Sequence, residues 1–263
     1  MYSCESRYKI IISPICKQMI KTFIRLLFVA ILPINCLRLN VGSTGLLFPY
    51  TLGALAYIKT NINPSNCHLT GTSGGAWCSL LYNLENNLNH DDLWSSLMGD
   101  KSQVVHLLNR TSMENFQKRV AVTIMEKYKH TNVSNMPLSV IVTKISKGYP
   151  ENVKIDKFAD LEEIVTYCLC SSYIPYISGS ISYMSYNGTK YMDGVLTQNK
   201  KLSGTELNIN KASWNRKFKL KDRLVLNFES SKRLFDDGWN DAKTNLKYLK
   251  RSSKNFQTRI TTD

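Results

Sequence analysis

Between Cys36 and Leu84 the chain alternates twice between a short apolar run ending in glycine and a longer run with helical patterning. Cys36-Leu-Arg-Leu-Asn-Val41 alternates and stops at Gly42, which reads as a short strand. From Pro49 to Thr60 the residues are apolar on nearly every face (Leu52, Ala54, Leu55, Ala56, Tyr57, Ile58), and Pro49 suits a first helical turn. A helix that is apolar all round belongs in a buried layer. A turn around Pro64 leads to a second short strand, Cys67 to Thr70, which stops at Gly71, and a further helix is expected from Gly74 to about Leu84. This is the alternation of an α/β sheet with helices on its faces. In such sheets, sites form where loops leave the carboxyl ends of strands, and both glycine turns fall on that edge.

The rest of the chain continues in kind. Residues 86–130 are expected to be helical with polar faces. Within them Thr111-x-x-Glu114 reads as a capping box, and Met113, Phe116, Val120, Ile124 and Tyr128 keep helical spacing. Leu138 to Thr143 predicts a strand and Leu161 to about Cys170 a helix. Ile181–Tyr186 and Thr189–Met192, joined by Asn187-Gly188, predict a β-hairpin. Arg223 to Phe228 predicts a late strand and Gly238 to Leu249 a late helix, with a frayed tail over 251–263.

A chain of 263 residues with 43% apolar and 21% charged residues fits one large globular domain. Its 34 basic and 20 acidic residues leave a net charge of +14, and much of that excess lies in the last quarter of the chain. Such a surface attracts polyanions, either nucleic acid or an anionic membrane. No finger, basic zipper or ribonucleoprotein motif accompanies the charge, so no nucleic-acid partner is expected. Cysteines 4, 16, 36, 67, 78, 168 and 170 have irregular spacing and no CxxC pair, which predicts buried thiols and no metal site. Residues 1–35 form an apolar and basic N-terminal segment. Its stretch 23–34 follows Lys17, Lys21 and Arg25 and is compatible with a signal peptide, an anchor, an amphipathic surface helix or a first core element. Membrane association is the expectation. The sequons at Asn109, Asn132 and Asn187 are close to chance in an Asn-rich chain.

Gly71-Thr-Ser73-Gly-Gly75 is a G-x-S-x-G pentapeptide between an expected strand and an expected helix. A sharp strand-to-helix turn exposes its serine at a helix N-terminus, and Gly71, Gly74 and Gly75 relieve the crowding. A serine needs a base to act as nucleophile. The histidines are His68, His90, His106 and His130, so none lies in the second half of the chain, where an ordinary Ser–acid–His order would put one. A carboxylate acting directly on Ser73 is the expected alternative. Asp193 follows the returning strand of the hairpin at once, beside flexible Gly194, although Asp-Gly by itself is also an ordinary turn.

Gly71–Gly75 together with Tyr191-Met-Asp-Gly-Val-Leu-Thr-Gln-Asn199 resembles the patatin-like phospholipases. Gly42-Ser-Thr-Gly-Leu-Leu-Phe-Pro-Tyr-Thr-Leu-Gly53 is similar to that family's glycine-rich oxyanion loop. Cys168–Gly179 and Asp237–Ala242 are similar to segments of its animal triglyceride-lipase and adiponutrin branch, the second as a helix start. The resemblance spans roughly residues 37–250 and implies a catalytic domain over 36–250. It also implies a three-layer α/β sandwich with a mostly parallel sheet. By the same resemblance, Ser73 is the nucleophile, Asp193 the acid/base partner, and Gly42, Ser43, Thr44 and Gly45 the oxyanion hole. No cofactor is implied, and the substrate is a phospholipid or acylglycerol ester met at an anionic membrane or lipid-droplet surface. Ser43 and Thr44 stand where the family commonly has glycine, and Val195 where it commonly has Gly or Ala. These departures keep a second reading open, a lipid-binding protein of the same fold. A His130-assisted hydrolase and a nucleic-acid binder are further alternatives.

Overall fold

The computed structural model describes residues 37–61, 67–197, 207–209, 214 and 216–245. The expected N-terminal segment and C-terminal tail lie outside them, as do Cys4, Cys16 and Cys36. The elements follow in order: β1 (Leu37–Val41), α1 (Phe48–Asn61), β2 (Cys67–Thr72), α2 (Gly74–Leu84), α3 (His90–Met98), β3 (Val104–His106) and α4 (Arg110–Tyr128). Then come β4 (Leu138–Ser146), β5 (Tyr149–Ile155), α5 (Leu161–Ser171), β6 (Met184–Tyr186), β7 (Thr189–Asp193), β8 (Leu207–Ile209), α6 (Leu220–Leu224), β9 (Val225–Asn227) and α7 (Phe228–Thr244).

This is an α/β fold around a mixed sheet. Strands β8, β1, β2 and β4 run parallel, and β5, β7 and β6 continue the sheet antiparallel. The register on β4 decides where the site forms. β5 pairs with β4 from Val140 to Ser146 and so occupies one edge throughout. On the other edge β2 ends with Thr72 opposite Ile141, and β7 ends with Asp193 opposite Val142. Two strands running in opposite directions therefore meet end to end at adjacent residues of β4.

Helix α1 is buried from Pro49 to Ile58, as an all-round apolar sequence requires. Its most extensive contact is with α7. The two helices cross at reciprocal glycines: a side chain on Gly53 would run into the Phe235 backbone, and one on Gly238 into the Tyr50 carbonyl. Beside the crossing, the Tyr50 hydroxyl donates to Asp241 at 2.7 Å and Tyr57 meets Trp239 edge to face, with ring centroids 5.2 Å apart. Cys67, Cys78, Cys168 and Cys170 are buried thiols. No described helix is long and apolar enough to cross a membrane.

Several local expectations are corrected. The stretch 86–130 holds two helices with a short strand between them. α4 is capped by Asn109, whose side chain accepts from the Ser112 N–H; Thr111 already lies inside the helix, and Glu114 pairs with Lys118 at 2.8 Å. The first arm of the hairpin is strand only over Met184–Tyr186. The late strand is shortened to β9, which pairs with β3 in a separate two-stranded sheet. The late helix begins ten residues earlier than the sequence suggests, at Phe228. There Asn227 and Ser230 form a reciprocal capping box, and Gly238 is an interior packing position rather than a helix start. Strand β5 was not anticipated. It returns from β4 through Lys147-Gly148, both at positive φ, and exposes most of its residues, so it carries little apolar alternation.

Candidate active site

Ser73 is the residue between β2 and α2. Its backbone, at φ 56° and ψ −130°, lies where a side chain other than hydrogen is strained, the sharp turn expected of a nucleophile elbow. Its neighbours allow the turn to sit tight. A Cβ on Gly71 would overlap Ala76 and Gly75, one on Gly75 would overlap the Val41 and Gly42 carbonyls, and one on Gly194 the Ile141 carbonyl. Helix α2 can therefore start in contact with the end of β1; its Ala76 N–H is taken by the Ser73 carbonyl at 2.8 Å, which leaves the Gly74 and Gly75 N–H groups beside Ser73 without an intrahelical acceptor.

The end-to-end junction on β4 brings Asp193 to the same point. Ser73 Oγ donates to Asp193 Oδ2 at 2.7 Å, and the second carboxylate oxygen accepts from the Val195 N–H at 2.9 Å. Asp193 is 1% exposed and Ser73 4%. Burial lifts the Asp193 carboxyl from the ordinary carboxylate range to about 6, although the hydrogen bonds from Ser73 and Val195 pull the other way. Val195 itself points to solvent, so a β-branched residue meets no crowding there.

The loop 42–45 lies against this pair unevenly. The Gly42 N–H is donated to the Ile209 carbonyl at 3.2 Å, so it is committed to the sheet. Ser43 is half-buried and Thr44 buried. Gly45, at φ +55°, lines the same cleft as Ser73 and Gly74. That cleft has about 600 Å³ of empty space, counting the part open to solvent. Its walls are almost wholly apolar, with Phe48, Trp77, Leu81, Leu97, Met113, Phe116 and Val120 around the serine.

Sequence reasoning assigned no role to Ser171-Ser172-Tyr173, at the end of α5, yet these three residues brace the whole site. Ser171 Oγ accepts the Ser73 N–H at 2.8 Å and donates to the Ile141 carbonyl at 2.6 Å. Ser172 Oγ accepts from Trp77 Nε1 at 3.0 Å, and its carbonyl from Gln117 Nε2 at 3.0 Å, fixing the cleft wall. The Tyr173 carbonyl accepts the Asp193 N–H at 2.8 Å. The only signal in the sequence was the likeness of 168–179 to a known segment.

None of the histidines lines the Ser73 cleft. His130 is exposed on the turn after α4. His68 is half-buried against Ser139, with Nε2 and Oγ 2.7 Å apart. His90 does make a chain with Asp91 (2.9 Å) and Ser231 (3.0 Å). However, Ser231 lies buried in the first turn of helix α7 with ordinary helical backbone, not on a strained turn, so the chain links α3 to α7 rather than presenting a nucleophile. Among the described residues no cluster of His, Cys, Asp or Glu could hold a metal ion.

No curated protein sequence matches this chain. Among solved structures, one chain of the heterodimeric ExoU–SpcU complex from the type III secretion system of Pseudomonas aeruginosa aligns with it at 11% identity and a TM-score of 0.34. The alignment covers 81% of this chain and 52% of that one, so this chain spans about half the length of that relative. The family model for patatin-like phospholipases matches residues 41–203, from the end of β1 through the glycine loop, the serine elbow and the Asp193 strand. The chain belongs to the patatin-like phospholipase family.

Proposed function

We propose that this protein is a lipid acyl hydrolase that cleaves carboxylic esters of phospholipids or acylglycerols through a Ser73–Asp193 dyad. The observation that carries this reading is the 2.7 Å hydrogen bond from Ser73 Oγ to a buried carboxylate, set at the base of an apolar cleft. The cleft takes the acyl chain. Ser73 Oγ attacks the ester carbonyl as Asp193 accepts its proton, and the protonated Asp193 returns that proton to the leaving alcohol. The remaining acyl-enzyme is opened by water, activated by the same carboxylate, and the fatty acid leaves. The oxyanion is held by N–H groups at the start of α2 and at Thr44 and Gly45, with Gly42 contributing through the loop's anchorage to Ile209.

Asp193 must be ionised to accept the proton. Activity should therefore rise through a pH of about 6 and level off above it, which a kcat/KM profile would reveal.

Two further features support a lipid surface as the place of reaction. Tyr176, Ile181, Val195 and Leu196 are large exposed apolar side chains on the segments that flank Tyr173 and Asp193. The net charge of +14 favours an anionic surface. The enzyme is accordingly membrane-associated, either peripherally or through its N-terminal segment, and the likeness of Cys168–Gly179 supports placing it in the animal triglyceride-lipase and adiponutrin branch. A hydrolysis screen over phospholipid and acylglycerol classes tests the function, with Ser73→Ala as the blank. Turnover of one class that disappears in the variant is expected, and equal turnover by both proteins would remove the reading.

A further inference from the structure

Thr44 departs from the glycine-rich loop that the family commonly uses, and its side chain is placed unlike that of a spacer residue. It is 4% exposed, and its hydroxyl oxygen has no hydrogen-bond partner among the described residues. A buried hydroxyl without a partner is unfavourable, so this one is free to be completed by a ligand at the site. Its position identifies where that ligand would be. A side chain on Gly74, the residue directly after Ser73, would land on Thr44 Oγ1 and close to the Gly45 backbone, 3.1 Å from its carbonyl oxygen and 3.3 Å from its nitrogen. Thr44 Oγ1 therefore lies against the N-terminus of α2, where an oxyanion formed on Ser73 collects its backbone donors. Thr72 Oγ1 also has no partner, but its side chain packs by Cγ2 on Gly194, on the Asp193 side of the serine.

We infer that the Thr44 hydroxyl is a side-chain donor to the oxyanion, replacing part of the donor set that the loop loses because the Gly42 N–H is bound to the sheet. The hydroxyl hydrogen is shared with the carbonyl oxygen as negative charge develops there, and no proton is transferred. This rests on the dyad reading of Ser73 and Asp193. It makes Thr44 a catalytic residue through its side chain, and it gives Gly74 a role, since any larger residue there would displace the hydroxyl.

The test compares wild type, Thr44→Val, Thr44→Ser and Ser73→Ala on one soluble acyl ester, with kcat and KM separated. Valine keeps the shape and removes the hydroxyl; serine keeps the hydroxyl. Thr44→Val is expected to lower kcat by about 10²-fold with little change in KM. Thr44→Ser should stay within a few-fold of wild type. Thermal unfolding of Thr44→Val at or above the wild-type midpoint would confirm that the loss is not one of folding. An active wild type with Thr44→Val within about threefold of it would overturn the inference while leaving the dyad intact. A loss in Thr44→Val that Thr44→Ser shares equally would also overturn it. Activity that persists in Ser73→Ala would overturn both readings.

Discussion

Asp193→Asn is expected to lower kcat by about 10⁴-fold on any lipid ester the enzyme cleaves, with KM nearly unchanged. No histidine can take over its role, because none of the four lines the Ser73 cleft. His130→Ala, at an exposed turn, should leave activity as it was. The same substitution should act on stability in the opposite direction. Burial raises the folded-state pKa of Asp193 to about 6, so the neutral carboxyl is the form the fold prefers. Between the ordinary carboxylate range and that value the folded chain holds more protons than the unfolded one. Stability therefore falls as pH rises through this window and stays lower above it. Asparagine resembles the neutral form. The variant should be more stable than wild type near neutral pH, by an amount on the order of 3 kcal/mol, and the gap should close at acid pH. Urea unfolding at the two pH values measures it. A variant that lost activity and stability together near neutral pH would mark Asp193 as a structural acid.

Gly238→Ala and Gly53→Ala should each destabilise the fold by about 3 kcal/mol. Helix propensity alone predicts the reverse, a gain of about 1 kcal/mol for each exchange. The sign separates the two accounts. At both positions a methyl group would meet backbone atoms of the facing helix, so no rotamer change can relieve the overlap. α1 and α7 would have to move apart, opening the interface around Tyr50, Ala54 and Phe235. Urea midpoints for the two variants, with unchanged slope, are the measurement. A midpoint equal to or above that of wild type would mean that the helices cross elsewhere.

The parts of this molecule legible in the sequence are those whose signal is local. The two glycine-ended strands, the helices after them, the Asn187-Gly188 hairpin and the elbow at Ser73 each follow from residues that are neighbours in the chain. The partner of Ser73 was narrowed by elimination, from the positions of the histidines, and the resemblance then pointed to Asp193. What brings the two together was not legible. It depends on β2 and β7 meeting end to end on β4, with β5 on the other edge, and β5 has no alternation to announce it. Helix starts were misread where a capping side chain lay upstream of the stronger-looking motif, as with Asn109 before Thr111 and Asn227 before Gly238. The bracing by Ser171 and Tyr173 was hidden for the same reason as the junction: each acts on a residue far along the chain.

Fluorophosphonate labelling of the folded chain, with the modified residue mapped by mass spectrometry, tests the dyad most directly. The label forms a bond only with a serine whose oxygen is activated. Stoichiometric modification of Ser73 is expected, with a rate that rises through a pH of about 6, slows sharply in Asp193→Asn and is lost in Ser73→Ala. Label on Ser231 beside His90 in place of Ser73, or a folded wild type that takes up no label, would contradict the assignment.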